Sequence, residues 1–187
     1  MARAPSIVSS GARLTEATAN RCFTCHQQSL PAVVGARALA KGLNFPRQVA
    51  QEQLQATIQN SQRARELCLE QPQPVPNIPS WLLIGLEAGR FPAGPFTDHF
   101  AYSLARHQYG DGRWISRASR APTDAGDVTS TALAIRALRL YAPPTMKPRM
   151  EARIAAGARW LGGFAADTTE DRAMQILGLH WAGRPNS

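Results

Sequence analysis

The chain of 187 residues is predicted to fold as an all-α protein built of helical hairpins, and three features of the sequence predict it. No segment sustains the apolar–polar alternation, rich in β-branched residues, that a half-buried strand requires. Apolar residues recur instead at three- and four-residue steps, in stretches bounded by Pro, Gly, Ser, Thr or Asp. The 14 Gly and 14 Pro are spread along the chain, which excludes one long coiled coil and leaves many short elements. Hydrophobic residues at 44% and charged residues at 18% exclude a wholly disordered chain. No apolar run approaches the roughly 20 residues of a membrane-spanning helix, so no membrane span is expected.

Residues 1–19 read as a polar lead-in, with a short helical turn at Thr15 to Ala19. Residues 20–70 form a helical hairpin that carries a cysteine motif. Its first helix starts at Pro31, a position the first turn accepts, and runs to Lys41 with Gly42 as its C-terminal cap. Its second helix runs from Pro46 to Leu69 on a face of Val49, Leu54, Ile58, Ala64 and Leu67. Residues 71–79 contain four prolines and read as a non-helical connector. An α/α repeat region spans 80–187. There Ser80 reads as the N-cap of a helix over Trp81 to Ala88. A helix over Thr97 to Gln108 ends in the turn Tyr109-Gly-Asp-Gly-Arg-Trp114. Asp127 caps a helix from Val128 to Tyr141 that Pro143 and Pro144 terminate. A further helix covers Lys147 to Leu161. The last is capped by Thr168 or Thr169, carries Glu170 and Asp171 in its first turn and ends at Gly183.

The net charge of +8 comes from 19 Arg and 2 Lys against 13 acidic residues. A basic total raises the question of nucleic acid, but the arginines run from Arg3 to Arg184 without a cluster or interleaved aromatics. No nucleic-acid partner is expected. The first 19 residues hold no apolar segment of the secretory type, so a cytoplasmic chain or a lost natural start are both consistent with them.

Three helix ends resemble one another: Leu83-Ile-Gly-Leu-Glu-Ala-Gly-Arg-Phe-Pro92, Ile135-Arg-Ala-Leu-Arg-Leu-Tyr-Ala-Pro143 and Ile176-Leu-Gly-Leu-His-Trp-Ala-Gly-Arg-Pro185. Val34 to Gly42 is a weaker copy. The spacing suits one helical hairpin per repeat. Such Gly- and Ala-rich helices, apolar on nearly all sides, suit an inner layer packed on several faces, with more polar helices outside. Gln108-Tyr-Gly-Asp-Gly-Arg-Trp114, four residues after Leu104, resembles the glutamine–tryptophan repeat motif of the squalene-cyclase and prenyltransferase superfamily. That resemblance covers about residues 80–185. It implies a partial α/α toroid, as an open arc or a truncated ring, in which Trp114 stacks on the preceding helix and Gln108 satisfies free backbone groups at a helix end. The chain departs from the cyclases in lacking a run of consecutive acidic residues: Asp124 and Asp127 are sparse, and Asp167 to Asp171 is accounted for by capping.

Cys22-Phe23-Thr24-Cys25-His26 is the strongest chemical signal. Two thiols three positions apart can each add to a vinyl group of one haem, and the adjacent imidazole then serves as an axial ligand to iron. The run from Cys22 to Pro31 also resembles the opening of a group of bacterial repeat proteins in which this motif, followed by Gln and a Leu-Pro helix start, precedes toroid repeats. Three other readings stay open: a thiol redox pair, although no βαβ pattern surrounds it; a zinc site with the distant Cys68; and inert cysteines. Met146, Met150, Met174, His99, His107 and His180 are the possible distal ligands, each also explicable as a core or surface residue. Cys68 reads as a small buried hydrophobe, and Trp81, Trp160 and Trp181 as core or cavity-lining residues.

The function expected is therefore that of an exported protein with one covalent haem c held by Cys22, Cys25 and His26, in electron transfer or haem-linked sensing. A redox partner protein and a periplasmic or extracellular location go with it. Without haem, the expectation is an α/α scaffold binding an apolar small molecule or a peptide, or a degenerate terpene-cyclase-like protein. No constellation for hydrolysis or nucleotide chemistry stands out, and an enzymatic role is left open.

Overall fold

Pro and Gly punctuate the chain as their backbone chemistry dictates. In the computed structural model, which describes residues 28–70, 76–116, 119–120 and 124–183, three helices carry Pro within their first two positions. There the missing N–H has no intrahelical partner to lose. The helices are α1 (Leu30–Ala40), α2 (Arg47–Glu70), α3 (Asn77–Ala88), α4 (Pro95–Arg106), α5 (Gly126–Tyr141), α6 (Lys147–Gly163) and α7 (Thr169–Trp181). A 3₁₀ turn over Pro144–Met146 leads into α6. The loop before α5 holds a two-residue antiparallel pairing, Ser119 with Ala125 and Arg120 with Asp124. The described chain is all-helical apart from this contact.

The helices lie in two layers. α1, α3, α5 and α7 stand side by side in one row, and α2, α4 and α6 pack behind them. Hydrogen bonds at both ends show that α3, α5 and α7 run parallel. Near the N-termini Ser130 Oγ donates to Asn77 Oδ1 at 2.8 Å and Thr129 Oγ1 to Glu170 Oε1 at 3.2 Å. At the C-terminal end Tyr141 Oη donates to the Phe91 carbonyl at 2.7 Å and Arg139 Nη2 to the Ala182 carbonyl at 2.8 Å. The core sits between the layers, centred on α5, where every residue from Val128 to Ile135 is buried. Leu82, Leu83 and Leu86 of α3 and Phe100 and Leu104 of α4 are buried against it, each worth roughly 1.5–3 kcal/mol of transfer free energy.

The turn after α4 is built around Trp114. Its indole is fully buried, and Nε1 donates to the Leu104 carbonyl at 2.7 Å, satisfying an acceptor in the last turn of the helix. Gln108 Nε2 donates to the Gly112 carbonyl and, in α6, to the Arg153 carbonyl, both at 2.8 Å. Trp114 thus completes the helix end, and Gln108 ties the turn to α6. Gly112 has φ +102°, and a Cβ there would lie 2.5 Å from the Ala156 carbonyl oxygen. Glycine is required.

Three expectations need correction. α3 begins at Asn77, not after Ser80, so residues 77–79 are helical and not connector. A proline at the third helical position costs no hydrogen bond, and Ser80 Oγ donates to the Pro76 carbonyl at 2.7 Å instead of capping. α4 runs over Pro95–Arg106, with Thr97 Oγ1 accepting the Gly94 N–H, because Pro95 pre-sets the first turn. The fold of α7 also differs from a helix buried on several faces: Gly178 alone in it is buried, while Ile176 and Leu177 are 61% and 41% exposed. α7 ends the described row and has an inner neighbour on one side.

Candidate functional site

Cys22, Cys25 and His26 lie outside the described residues, and the chain enters the described fold at Gln28 and Ser29. Both are fully buried. Ser29 Oγ donates to the Trp81 carbonyl of α3 at 2.6 Å. Gly85, one turn further along α3, makes this seat possible, since a Cβ there would lie 2.6 Å from Ser29 Oγ. Ser29, three residues after His26 in the sequence, is therefore seated on α3.

Leu30 opens a cavity of about 780 Å³, within the range of ligand sites. Leu30, Val33 and Arg37, at i, i+3 and i+7, form its α1 wall, because residues at these spacings share one helix face. Trp81 and Ile84 of α3, Leu133 of α5 and Trp181 of α7 continue the apolar surface. The first two turns of α2 close another side through Arg47, Ala50, Gln51 and Leu54. Four arginines, Arg37, Arg47, Arg90 and Arg136, face a single carboxylate, Glu87, among the lining residues. Arg136 stacks over the Trp181 ring at 5.8 Å, a cation–π contact.

None of the candidate distal ligands lines this cavity. Met150 is fully buried in the core, and Met146 and Met174 pack against it. His99 meets Phe100 edge to face at 5.4 Å. His107 Nδ1 lies 2.6 Å from the Ser103 carbonyl oxygen. Burial holds the His107 imidazole below its ordinary pKa of 6.5; the Ser103 contact opposes this, and the Arg106 charge adds to it. His180 sits exposed in the last turn of α7. Trp160 stands apart, tilted on Phe164 at 5.2 Å. Trp81 and Trp181 are the tryptophans of the three that reach the cavity. Cys68 falls in α2, with its side chain outside the described residues.

Among the described residues no group of three or more His, Cys, Asp or Glu could hold a metal ion. The acidic stretches serve the backbone. Asp127 accepts the Ser116 N–H at 2.8 Å and pairs with Arg113 at 3.3 Å. Thr168 Oγ1 accepts the Asp171 N–H at 3.0 Å as the N-cap of α7. No helix among the described residues is long and apolar enough to cross a membrane. The cavity arginines are what sequence reasoning missed. Their one visible signal was Arg37 continuing the Leu30–Val33 stripe at helical spacing. Comparison with family models, curated proteins and solved structures gives no match to the chain.

Proposed function

We propose that this chain is an exported carrier of one covalent haem c on an α/α repeat scaffold, acting in electron transfer or haem-linked sensing. The observation that carries the reading is Cys22-Phe23-Thr24-Cys25-His26, followed at once by an anchored peptide. The donor set fits the group: two thiols at the i and i+3 positions and one imidazole beside the second. Each thiol adds across one vinyl group, sulfur to one carbon and its hydrogen to the other, so attachment consumes no oxidant. Held there, a haem would supply one-electron exchange at iron. Cys22 and Cys25 would hold the group through their sulfurs and His26 would ligate its iron, three residues before Ser29, which bonds the Trp81 carbonyl of α3. Covalent attachment belongs outside the cytoplasm, which makes the periplasm the expected location and a redox protein the expected partner. The row of α1, α3, α5 and α7, the last three of them parallel, backed by α2, α4 and α6, supports reading the scaffold as an arc of an α/α toroid.

Expression with an export leader in cells that attach haem c, followed by a denaturing gel stained for haem peroxidase activity, tests the proposal. The intact chain is expected to stain, and the Cys22→Ser, Cys25→Ser double variant to be colourless. A colourless intact chain with both thiols free to alkylation sinks it. The cavity favours a second reading, a haem-free scaffold for an apolar ligand, which a colourless chain would leave in place.

A further inference from the structure

We infer that the cavity between α1, α2, α3 and α5 binds a single-chain anionic amphiphile, a fatty carboxylate, with the tail on the Trp81 and Leu133 surface and the carboxylate among the arginines. This rests on the cavity and not on haem attachment. The apolar wall and the volume suit a hydrocarbon chain, and α1 from Leu30 to Ala40 gives that wall a length of roughly 15 Å. Charge decides the headgroup. Arg37, Arg47 and Arg90 are exposed and Arg136 is half-buried, and none has an ion-pair partner among the described residues. A single exposed carboxylate, Glu87, stands against the four, so the open side of the cavity is electropositive.

Arg47 stands where the helix dipole disfavours a cation, and Arg90 where the backbone disfavours any side chain. Arg47 is the first residue of α2, whose first turn has no acidic residue. A cation there opposes the positive end of the helix dipole, whereas a bound carboxylate would be attracted by both. Arg90 follows the C-terminus of α3 with φ +55°, in the left-handed region, at the position where glycine is usual. Its N–H reaches the Glu87 carbonyl at 2.8 Å, and the next N–H reaches Leu86 at 2.9 Å, so the cap closes in spite of the side chain. An arginine kept where glycine would be less strained points to a role for its side chain, and that side chain lines the cavity. Arg37, in the last turn of α1, is explained by the dipole alone and adds to the field.

Calorimetric titration of the full chain with dodecanoate and with its methyl ester tests this, using both the haem-loaded protein and the Cys22→Ser, Cys25→Ser variant. Dodecanoate is expected to bind one to one, and the ester about tenfold more weakly or worse, as loss of a charge-assisted contact implies. Arg47→Gln with Arg90→Gly should remove that preference, while Arg90→Gly alone raises the thermal midpoint by relieving the backbone. Ala36→Trp, on the cavity wall, should abolish binding of both compounds with the helical circular dichroism unchanged. Equal binding of acid and ester, no binding of either, or binding untouched by Ala36→Trp overturns the inference. So does dodecanoate binding by the cysteine-free variant but not by the haem-loaded chain, since the cavity would then be the haem seat. Failure of haem attachment leaves the titration of the cysteine-free variant unaffected, so the two proposals fail separately.

Discussion

Trp114 and His107 stand within one turn of chain and place opposite demands on the solvent. The buried indole donates to the Leu104 carbonyl, and Trp114→Phe keeps an aromatic ring while removing that donor and part of the buried volume. A loss of about 1–3 kcal/mol is expected in urea unfolding, from the smaller buried ring and one lost hydrogen bond, while the carbonyl keeps the His107 N–H at 3.1 Å. A change below about 0.5 kcal/mol would mean that the indole adds nothing beyond what a phenyl ring supplies. His107 acts through pH. Its imidazole is held low by burial, so the folded chain binds fewer protons than the unfolded one between the lowered value and 6.5. The associated stability is complete above about pH 6.5 and is lost as pH falls through the folded pKa. The thermal midpoint should therefore drop between about pH 7 and pH 5, and His107→Gln should flatten that drop.

At the scale of elements, the contact between α5 and α7 depends on one missing side chain. A Cβ on Gly178 would lie 2.5 Å from Leu161 Cδ1 and 2.9 Å from Ala132 Cβ. Gly178→Ala should cost about 1–3 kcal/mol by overpacking, and hydrogen exchange should show the loss first in α7. Helix-by-helix content was legible in the sequence because Pro at helix starts and Gly42 and Gly183 beyond helix ends are local signals. Gly42 and Gly183 do adopt φ +70° and +81°. The Asn77 start of α3 was not legible, since four prolines mask a first turn that tolerates one of them. Nor was the exposure of Ile176 and Leu177, because composition reports what a helix can bury and not whether a neighbour stands beside it. For the site, Cys22, Cys25 and His26 are a short-range pattern. The cavity arginines come from four separate helices or helix ends, and the topology that gathers them leaves little trace in spacing.

For the molecule as a whole, a layered row in which each helix meets only its neighbours should open from its ends. Amide exchange is expected to be slowest in α5, around Ala132 to Leu138, and faster in α1 and α7; equal protection in α1 and α5 would contradict a nearest-neighbour architecture. The common direction of α3, α5 and α7 reaches beyond packing. Their peptide dipoles add instead of cancelling, and about half a negative elementary charge per helix collects along a single rim. Arg139, in the last turn of α5, bonds the Ala182 carbonyl on that rim. Arg139 is thus countercharge to a field that the topology itself creates, and dissolved salt will weaken that edge before it weakens the interior.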